Sequence, residues 1–135
     1  MIIQFSKYEG TGNDFILIDD RKLQFPASSE LISRLCDRHF GIGADGVLLL
    51  QHSEGYDFGM NYFNSDGSPA TFCGNGGRCI AAFAFQTGIT GTTSRFMAAD
   101  GIHHVRIMEN RGHECTVELS MQDAIIYNTD SGLYY

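Results

Sequence analysis

The residues best suited to chemistry are seven consecutive ones, 73–79, with the sequence CGNGGRC. The run of apolar residues that follows, 80–85, predicts a helix that is buried on nearly every face. Cys73 would then lie at the helix N-terminus, where unpaired N–H groups and the helix dipole favour an anion. Because only the thiolate form of a cysteine acts as a base, this position predicts an activated thiol at Cys73.

The glycines of the same segment predict a second function, the binding of a carboxylate. With no side chains in the way, the backbone amides of Gly74, Asn75 and Gly76 can approach an anion closely. Amides that hold a carboxylate also stabilise the charge that develops when a proton leaves the neighbouring carbon. One loop therefore offers a base and an anion pocket, which suits α-proton abstraction, and Arg78 would add positive potential one turn later.

A structural interpretation of Cys73 is the main alternative. Free cysteines usually serve as small buried hydrophobic groups, and the glycines would then only permit a tight entry into the helix. A cysteine at a glycine-rich helix start is, however, the environment in which thiolates become reactive, so we favour the catalytic interpretation. We expect Cys36, Cys79 and Cys115 to serve packing.

Composition limits the classes of function. The chain has 135 residues, 43% hydrophobic and 19% charged, which is typical of one globular domain. The net charge of −7 argues against nucleic-acid binding, which needs clustered Lys and Arg. No signal peptide and no apolar stretch of membrane-spanning length is visible, so we expect a cytoplasmic protein with reduced cysteines and no membrane partner.

We expect neither a metal nor a cofactor. His103 and His104 are neighbours on a predicted strand, so their side chains face opposite ways and do not form a shared metal site. Pyridoxal enzymes need a Schiff-base lysine, and Lys7 and Lys22, the two lysines of the chain, lie in unsuitable contexts.

The hydrophobic pattern predicts an α+β fold in which a curved, mainly antiparallel, barrel-like sheet wraps around the buried helix after Cys73. Gly88 is a natural end for that helix. Another helix should follow Pro26, with Ser28 or Ser29 as its N-cap. Residues 9–14 should form a turn, and the predicted strands are 2–8, 15–19, 47–50, 57–63, 93–99, 102–108 and 114–120.

Four segments of the chain together resemble the diaminopimelate epimerases. The segment 73–79 is similar to an active-site motif of that family. Three further segments match in order and spacing: FSK at 5–7 with GTGNDF at 10–15, RHFGIGADG at 38–46, and FNSDGS at 63–68. The resemblance therefore covers 5–79 closely, and the pattern up to about residue 120 fits the same plan.

The resemblance implies an enzyme of two pseudo-symmetric halves, each a sheet around a central helix, with the substrate between them. It implies a reaction without cofactor or metal, in which one cysteine thiolate removes the α-proton and a second cysteine thiol reprotonates the opposite face. LL- and meso-diaminopimelate are interconverted in this way, on the route to lysine and peptidoglycan precursors.

By position, the resemblance implies that Cys73 is one of the two catalytic cysteines and that Gly74 and Asn75 bind the reacting carboxylate through backbone amides. Asn13 and Asn64 would recognise polar groups of the substrate. Some family members have a glutamine where this chain has Gly46, so no side-chain role is expected at that position.

The second half of the family's fold is expected to be missing. We expect residues 1–120 to be an N-terminal epimerase domain and 121–135 to be a crossover segment toward an absent second domain. A chain with one catalytic half should be inactive alone, and its bare inter-domain face should favour self-association, for example as a homodimer. A non-catalytic carboxylate-binding relic and a proline-racemase-like or phenazine-biosynthesis-like isomerase are the alternatives.

Overall fold

A computed structural model describes residues 2–120. Seven strands form one sheet in sequential order, and two helices connect parallel neighbours within it. The β2–β3 and β4–β5 pairs are parallel and the other pairs are antiparallel. The elements are β1 (Ser6–Gly10), β2 (Asn13–Asp19), α1 (Ser29–Cys36), β3 (Gly46–Gln51), β4 (Phe58–Asn64), α2 (Gly74–Gln86), β5 (Thr93–Ala98), β6 (Gly101–Arg111) and β7 (Glu114–Ser120).

The predicted fold class is confirmed, because the sheet curls into a half-barrel around α2. Helix α2 contacts both edge strands, β1 and β7, as well as the central strands β2 and β3. Its Cys79–Ala84 segment is buried throughout, in agreement with an apolar run on every face. The two parallel strand pairs were not predicted, and they arise because each pair is joined by a helix that returns the chain to the same end of the sheet.

Alternation along the central strands creates two cores. Phe15 and Leu17 of β2 face α2, whereas Ile16 and Ile18 face α1 on the other side of the sheet. Strand β3 alternates in the same way, so the middle of each strand, 15–18 in β2 and 47–50 in β3, is apolar at every position. The N-cap of α1 is Ser28, whose Oγ accepts a hydrogen bond of 3.1 Å from the Leu31 amide.

Glutamine 86, the last residue of α2, bridges the two open edges of the half-barrel. The Tyr8 hydroxyl of β1 donates a hydrogen bond to Gln86 Oε1. Gln86 Nε2 in turn donates to Asn110 Oδ1 at 2.9 Å and to the Gly112 carbonyl at 3.3 Å, at the β6–β7 turn. One side chain thus ties both edges of the sheet to the end of the helix that it encloses.

The N-terminal hairpin corrects two predictions. Residues 2–5 are not part of a strand, and β1 instead continues to Gly10, which pairs with Asn13. The predicted six-residue turn at 9–14 is therefore a two-residue turn. Thr11 and Gly12 both have positive φ, 51° and 91°, the backbone that lets a two-residue loop follow the twist of a hairpin.

Two expectations concern the chain as a whole. No helix within 2–120 is long and apolar enough to cross a membrane. The crossover segment expected at 121–135 lies outside the described residues.

Candidate functional site

The predicted site residues converge on one end of the sheet. Asn13 opens β2, Gly46 opens β3, and Asn64 closes the antiparallel strand β4. Gly46 pairs with Asn64 on one side and with Phe15, two residues after Asn13, on the other. Cys73 is the N-cap of α2 and follows the turn that leaves this same end of β4.

Cys73 has the local geometry expected of a residue at a helix mouth. Its backbone is extended, with φ −138° and ψ 127°, and its carbonyl accepts the first helical hydrogen bond from Gly77 at 2.8 Å. Within residues 2–120, its side chain receives no capping hydrogen bond, and it lies half-buried against the core around α2. The thiol is therefore accessible beside the amides of the first helical turn.

The other thiols have different surroundings. Cys36 and Cys79 are each 4% exposed and lie in the two cores. Burial raises the pKa of Cys36 to about 11 and that of Cys79 to about 12, and for Cys79 the neighbouring Cys73 adds to the effect. Cys115 on β7 is half-buried, and burial raises its pKa too. These surroundings match the packing role expected for all three.

Glycine at position 77 allows the helix mouth to pack closely. A Cβ at Gly77 would lie 2.7 Å from the Phe72 ring and 2.9 Å from Leu119 of β7, closer than van der Waals contact allows. A Cβ at Gly76 would lie 3.6 Å from Leu48 and Phe15, an ordinary contact. Of these two glycines, Gly77 is thus the one that the packing of α2 against β7 requires.

An aromatic stack, which sequence reasoning missed, supports the residue before Cys73. The Phe72 ring stacks on His103 with centroids 4.1 Å apart, and His103 is fully buried. The His103 ring nitrogens face the Asp100 carboxylate at 2.8 Å and the Ser120 carbonyl at 3.2 Å. The contacts with Phe72 and Ser120 join residues that are far apart in the chain, so strand alternation alone gave no sign of them.

A chain of hydrogen bonds links the amides of Asn13 and Asn75. Asn75 Nδ2 donates to Asn13 Oδ1 at 2.7 Å, and Asn13 Nδ2 donates to Asp45 Oδ2 at 3.2 Å. At the other end, Arg78 Nη2 donates to Asn75 Oδ1 at 2.5 Å. Two residues predicted to bind substrate are therefore in direct contact, and Asp45 belongs to the same chain without having been predicted.

Charged residues surround this chain on the side of α1. Arg38 contacts both carboxylate oxygens of Asp14, at 2.8 and 3.1 Å, and it also contacts Asp45 Oδ1 at 3.1 Å. Lys7 Nζ contacts Asp14 Oδ2 at 2.9 Å. The hydrogen bonds from Arg38, followed by the one from Lys7, hold the pKa of the Asp14 carboxyl well below its usual range.

Asn64 lies at the site's end of the sheet but is occupied by its own turn. Its Nδ2 donates to Ser68 Oγ at 3.2 Å, and its backbone amide donates to the Ser68 carbonyl at 2.8 Å. Among the described residues, no hydrogen bond joins Asn64 to Asn13 or Asn75. The structure thus brings Asn13, Gly74 and Asn75 together and leaves Asn64 on β4, two strands away from Asn13.

Tyr62 is a second residue that sequence reasoning missed. It precedes Asn64 by two positions on β4, and its ring meets Phe15 edge to face at 5.9 Å. A Cβ at Gly46 would lie 2.9 Å from this ring and 2.6 Å from the Phe63 carbonyl, so the ring and backbone fill that space. Burial raises the pKa of Tyr62, and the nearby Cys73 and Asp45 raise it further.

A cleft of about 760 Å³ lies at the opposite end of β2. It contains neither Cys73 nor the asparagines, and its walls combine apolar residues with Asp19, Asp20, Arg21 and Lys22. The cleft and the candidate catalytic residues therefore lie at opposite ends of β2. We place the candidate site at Cys73, because an accessible thiol, open helix amides and fixed polar side chains meet there.

Solved structures share this fold at low sequence identity. A probable proline racemase from Agrobacterium radiobacter K84 matches 89% of this chain with a TM-score of 0.68 and 17% identity, over 42% of its own length. A phenazine biosynthesis protein of the PhzF family from Bacillus anthracis matches 87% with a TM-score of 0.65 and 20% identity, over 40% of its own length.

Relatives by sequence are much more similar. The diaminopimelate epimerase of Flavobacterium psychrophilum is 55% identical over 105 residues, which are 77% of this chain and 41% of that protein. Diaminopimelate epimerase 1 of Nostoc sp. is 58% identical over 85 residues, 62% of this chain and 30% of that protein. The chain thus spans well under half the length of these relatives. The family model for diaminopimelate epimerase matches residues 5–126, and the chain belongs to that family.

Proposed function

We propose that this chain supplies one catalytic half of a cofactor-independent enzyme that interconverts LL- and meso-diaminopimelate. The observation that carries the proposal is the half-buried thiol of Cys73 at the mouth of α2, beside the linked amides of Asn13 and Asn75. Sequence identity of 55% to a named diaminopimelate epimerase supports this substrate over those of the structural neighbours, whose identities are 20% or less.

In this proposal, Cys73 acts as a thiolate base. Its sulfur takes the proton from the substrate α-carbon and becomes a thiol, and the electron pair remains on the carbon and the adjoining carboxylate. A second cysteine thiol, in a half of the enzyme that this chain does not include, then protonates the opposite face. Electrons and protons balance without an oxidant, reductant or cofactor.

The amides at the helix mouth hold the reacting carboxylate. Gly74 has no side chain, and among residues 2–120 a Cβ there would meet only the Arg78 guanidinium, at 3.6 Å, so this part of the chain leaves the backbone open to a ligand. The N–H groups of Gly74 and Asn75 would donate to the carboxylate and stabilise the charge that forms during proton abstraction. Asn13 and Asn64 would contact the substrate's other polar groups, and Asn64 could do so through its Oδ1 or its second N–H while it keeps its bond to Ser68.

Base and acid must approach the α-carbon from opposite faces, so one half has no reason to catalyse epimerisation alone. The proposal therefore includes a C-terminal half as partner, a crossover segment at 121–135, and function in lysine and peptidoglycan precursor synthesis. A cytoplasmic location and a homodimer are parts of the same proposal.

Ligand protection of the Cys73 thiol tests this assignment. The full-length protein is alkylated with iodoacetamide in the presence and in the absence of meso-diaminopimelate, and peptide mass spectrometry measures the rate of alkylation at each cysteine. We expect the ligand to slow alkylation of Cys73 about tenfold or more and to leave Cys115, at the far end of α2, unchanged. Equal protection of both thiols, or of neither, would contradict a substrate site at the helix mouth.

A further inference from the structure

We propose that Asp45 and Arg78 are positioning residues that fix the amide orientations of Asn13 and Asn75 from two ends, and thereby set which atoms meet the substrate. This inference rests on the proposed function, because it concerns the same helix mouth. It adds two side chains for which no such role was predicted from the sequence, Asp45 immediately before β3 and Arg78 on α2.

The chemistry of the two end groups makes the chain directional. A carboxylate only accepts hydrogen bonds, so Asp45 requires that Asn13 present its Nδ2, which it does at 3.2 Å. A guanidinium only donates, so Arg78 requires that Asn75 present its Oδ1, which it does at 2.5 Å. The Nδ2 of Asn75 then meets the Oδ1 of Asn13 at 2.7 Å, and every contact pairs a donor with an acceptor.

A flipped amide breaks this pattern at two contacts. If Asn13 turned over, its Oδ1 would face the Asp45 carboxylate and its Nδ2 would face the Nδ2 of Asn75. A flip of both asparagines would restore the contact between them but would leave a conflict at each end, because the Asp45 carboxylate has no donor and Arg78 has no acceptor. Asp45 and Arg78 together therefore leave a single satisfied arrangement.

Asp45 is itself held in place. Its Oδ2 also accepts the Asp14 amide at 3.2 Å, its Oδ1 contacts Arg38 at 3.1 Å, and its own amide donates to the Asp14 carbonyl at 2.8 Å. Each amide nitrogen in the chain has a second N–H that is not used in the described contacts. These donors lie in fixed positions beside the helix mouth, where a carboxylate-bearing substrate would accept them.

A matched pair of neutral substitutions at the exposed Arg78 separates hydrogen bonding from charge. Arg78→Gln retains a donor that can reach Asn75 three positions earlier on the helix, whereas Arg78→Met retains length but has no donor. We expect the KM for diaminopimelate in the full-length enzyme to stay within about threefold for Arg78→Gln and to rise about tenfold for Arg78→Met, with kcat little changed in both. Equal KM values for the two variants would show that the hydrogen bond donated at position 78 does not matter and would overturn the inference.

A double-mutant cycle tests the coupling between the two ends. Asp45→Leu, which has no acceptor, should raise KM about tenfold, and Asp45→Leu with Arg78→Met should raise it little more than either alone, because both act through one chain. Asp19→Leu is the matched control, since Asp19 also pairs with an arginine but lies at the other end of β2. A roughly hundredfold rise in the double variant would mean independent contacts and would also overturn the inference.

The two proposals fail in different ways. Absence of turnover in the unmodified full-length enzyme would contradict the proposed function, and the inference would fall with it. Normal turnover with independent effects at the two positions would contradict the inference alone. If Asp45→Leu did not fold, the comparison of the two Arg78 variants would still decide.

Discussion

At the scale of single residues, the four thiols differ in how deeply they are buried. Cys73 is half-buried at a helix mouth, whereas Cys36 and Cys79 lie in the cores with pKa values raised to about 11 and about 12. At pH 8, a thiol of pKa about 12 is ionised in only about one molecule in ten thousand. The reactivity of each thiol should therefore depend on its position in the fold, although Cys73 and Cys79 are only six positions apart in the chain.

We predict that iodoacetamide at pH 8 modifies Cys73 at least about a hundredfold faster than Cys79 or Cys36 in the folded protein, because both burial and ionisation protect the latter two. Peptide mass spectrometry over a time course measures the rates. In urea all four thiols should react at similar rates, which serves as the control. Modification of Cys79 as fast as Cys73 in the native protein would refute this account of its burial.

At the scale of elements, Gln86 closes the half-barrel around α2. The sheet itself leaves β1 and β7 as edges, and Gln86 connects β1 to the β6–β7 turn through its two amide atoms. Side-chain bonds of this kind each contribute about 1 kcal/mol to stability. The end of α2 farthest from Cys73 thus holds the edges that position the helix.

We predict that Gln86→Ala lowers the free energy of unfolding by about 1–2 kcal/mol, because Tyr8 and Asn110 lose their shared partner. Tyr8→Phe, which removes only the hydroxyl, should cost less, and its cost should largely disappear in the Gln86→Ala background. Gln24→Ala, in the exposed loop after β2, is the control. Urea unfolding measures all four variants, and an unchanged midpoint for Gln86→Ala would show that the edges close without it.

Sequence reasoning succeeded where the signals are local. The glycines and apolar run after Cys73 placed it correctly at a helix start, and alternation together with short apolar runs located the seven strands, although residues 2–5 were wrongly included in the first. It failed where contacts are remote: the roles of Asp45, Tyr62 and His103 depend on partners from other elements. The two-residue turn of this hairpin was missed because Thr11 has a positive φ, a conformation that is rare for threonine and is not predicted from its presence in the sequence.

At the scale of the molecule, the paired charges near the site make stability depend on pH. The Asp14 carboxyl has a pKa below its usual range in the folded state, because Arg38 and Lys7 hydrogen-bond to its charged form. A group of this kind stabilises the fold at pH values above its unfolded pKa of about 3.9, and the stabilisation is lost as pH falls through the folded value. Acid should therefore weaken the contact between β1, β2 and the loop after α1.

We predict that Asp14→Asn costs about 1 kcal/mol at pH 7, a value reduced by solvent screening of a partly exposed cluster. The difference from the unmodified protein should shrink as pH falls below about 4 and as salt rises. The urea midpoints of the unmodified protein and of Asp14→Asn, measured between pH 3 and pH 7 at low and at high salt, test both trends. Glu30→Gln, which removes a highly exposed partner of Arg34, should have almost no effect at any pH. A constant difference across this range would contradict the linkage.

The most direct test of the central claim is α-deuterium incorporation into meso-diaminopimelate in heavy water, followed by mass spectrometry with the full-length protein. We expect exchange in the unmodified protein and none above background in Cys73→Ser, with Cys115→Ser close to unmodified. Such a result would place the Cys73 sulfur in the path of the proton. Undiminished exchange in Cys73→Ser, or no exchange in the unmodified protein with its thiols reduced, would contradict the claim that Cys73 is the base.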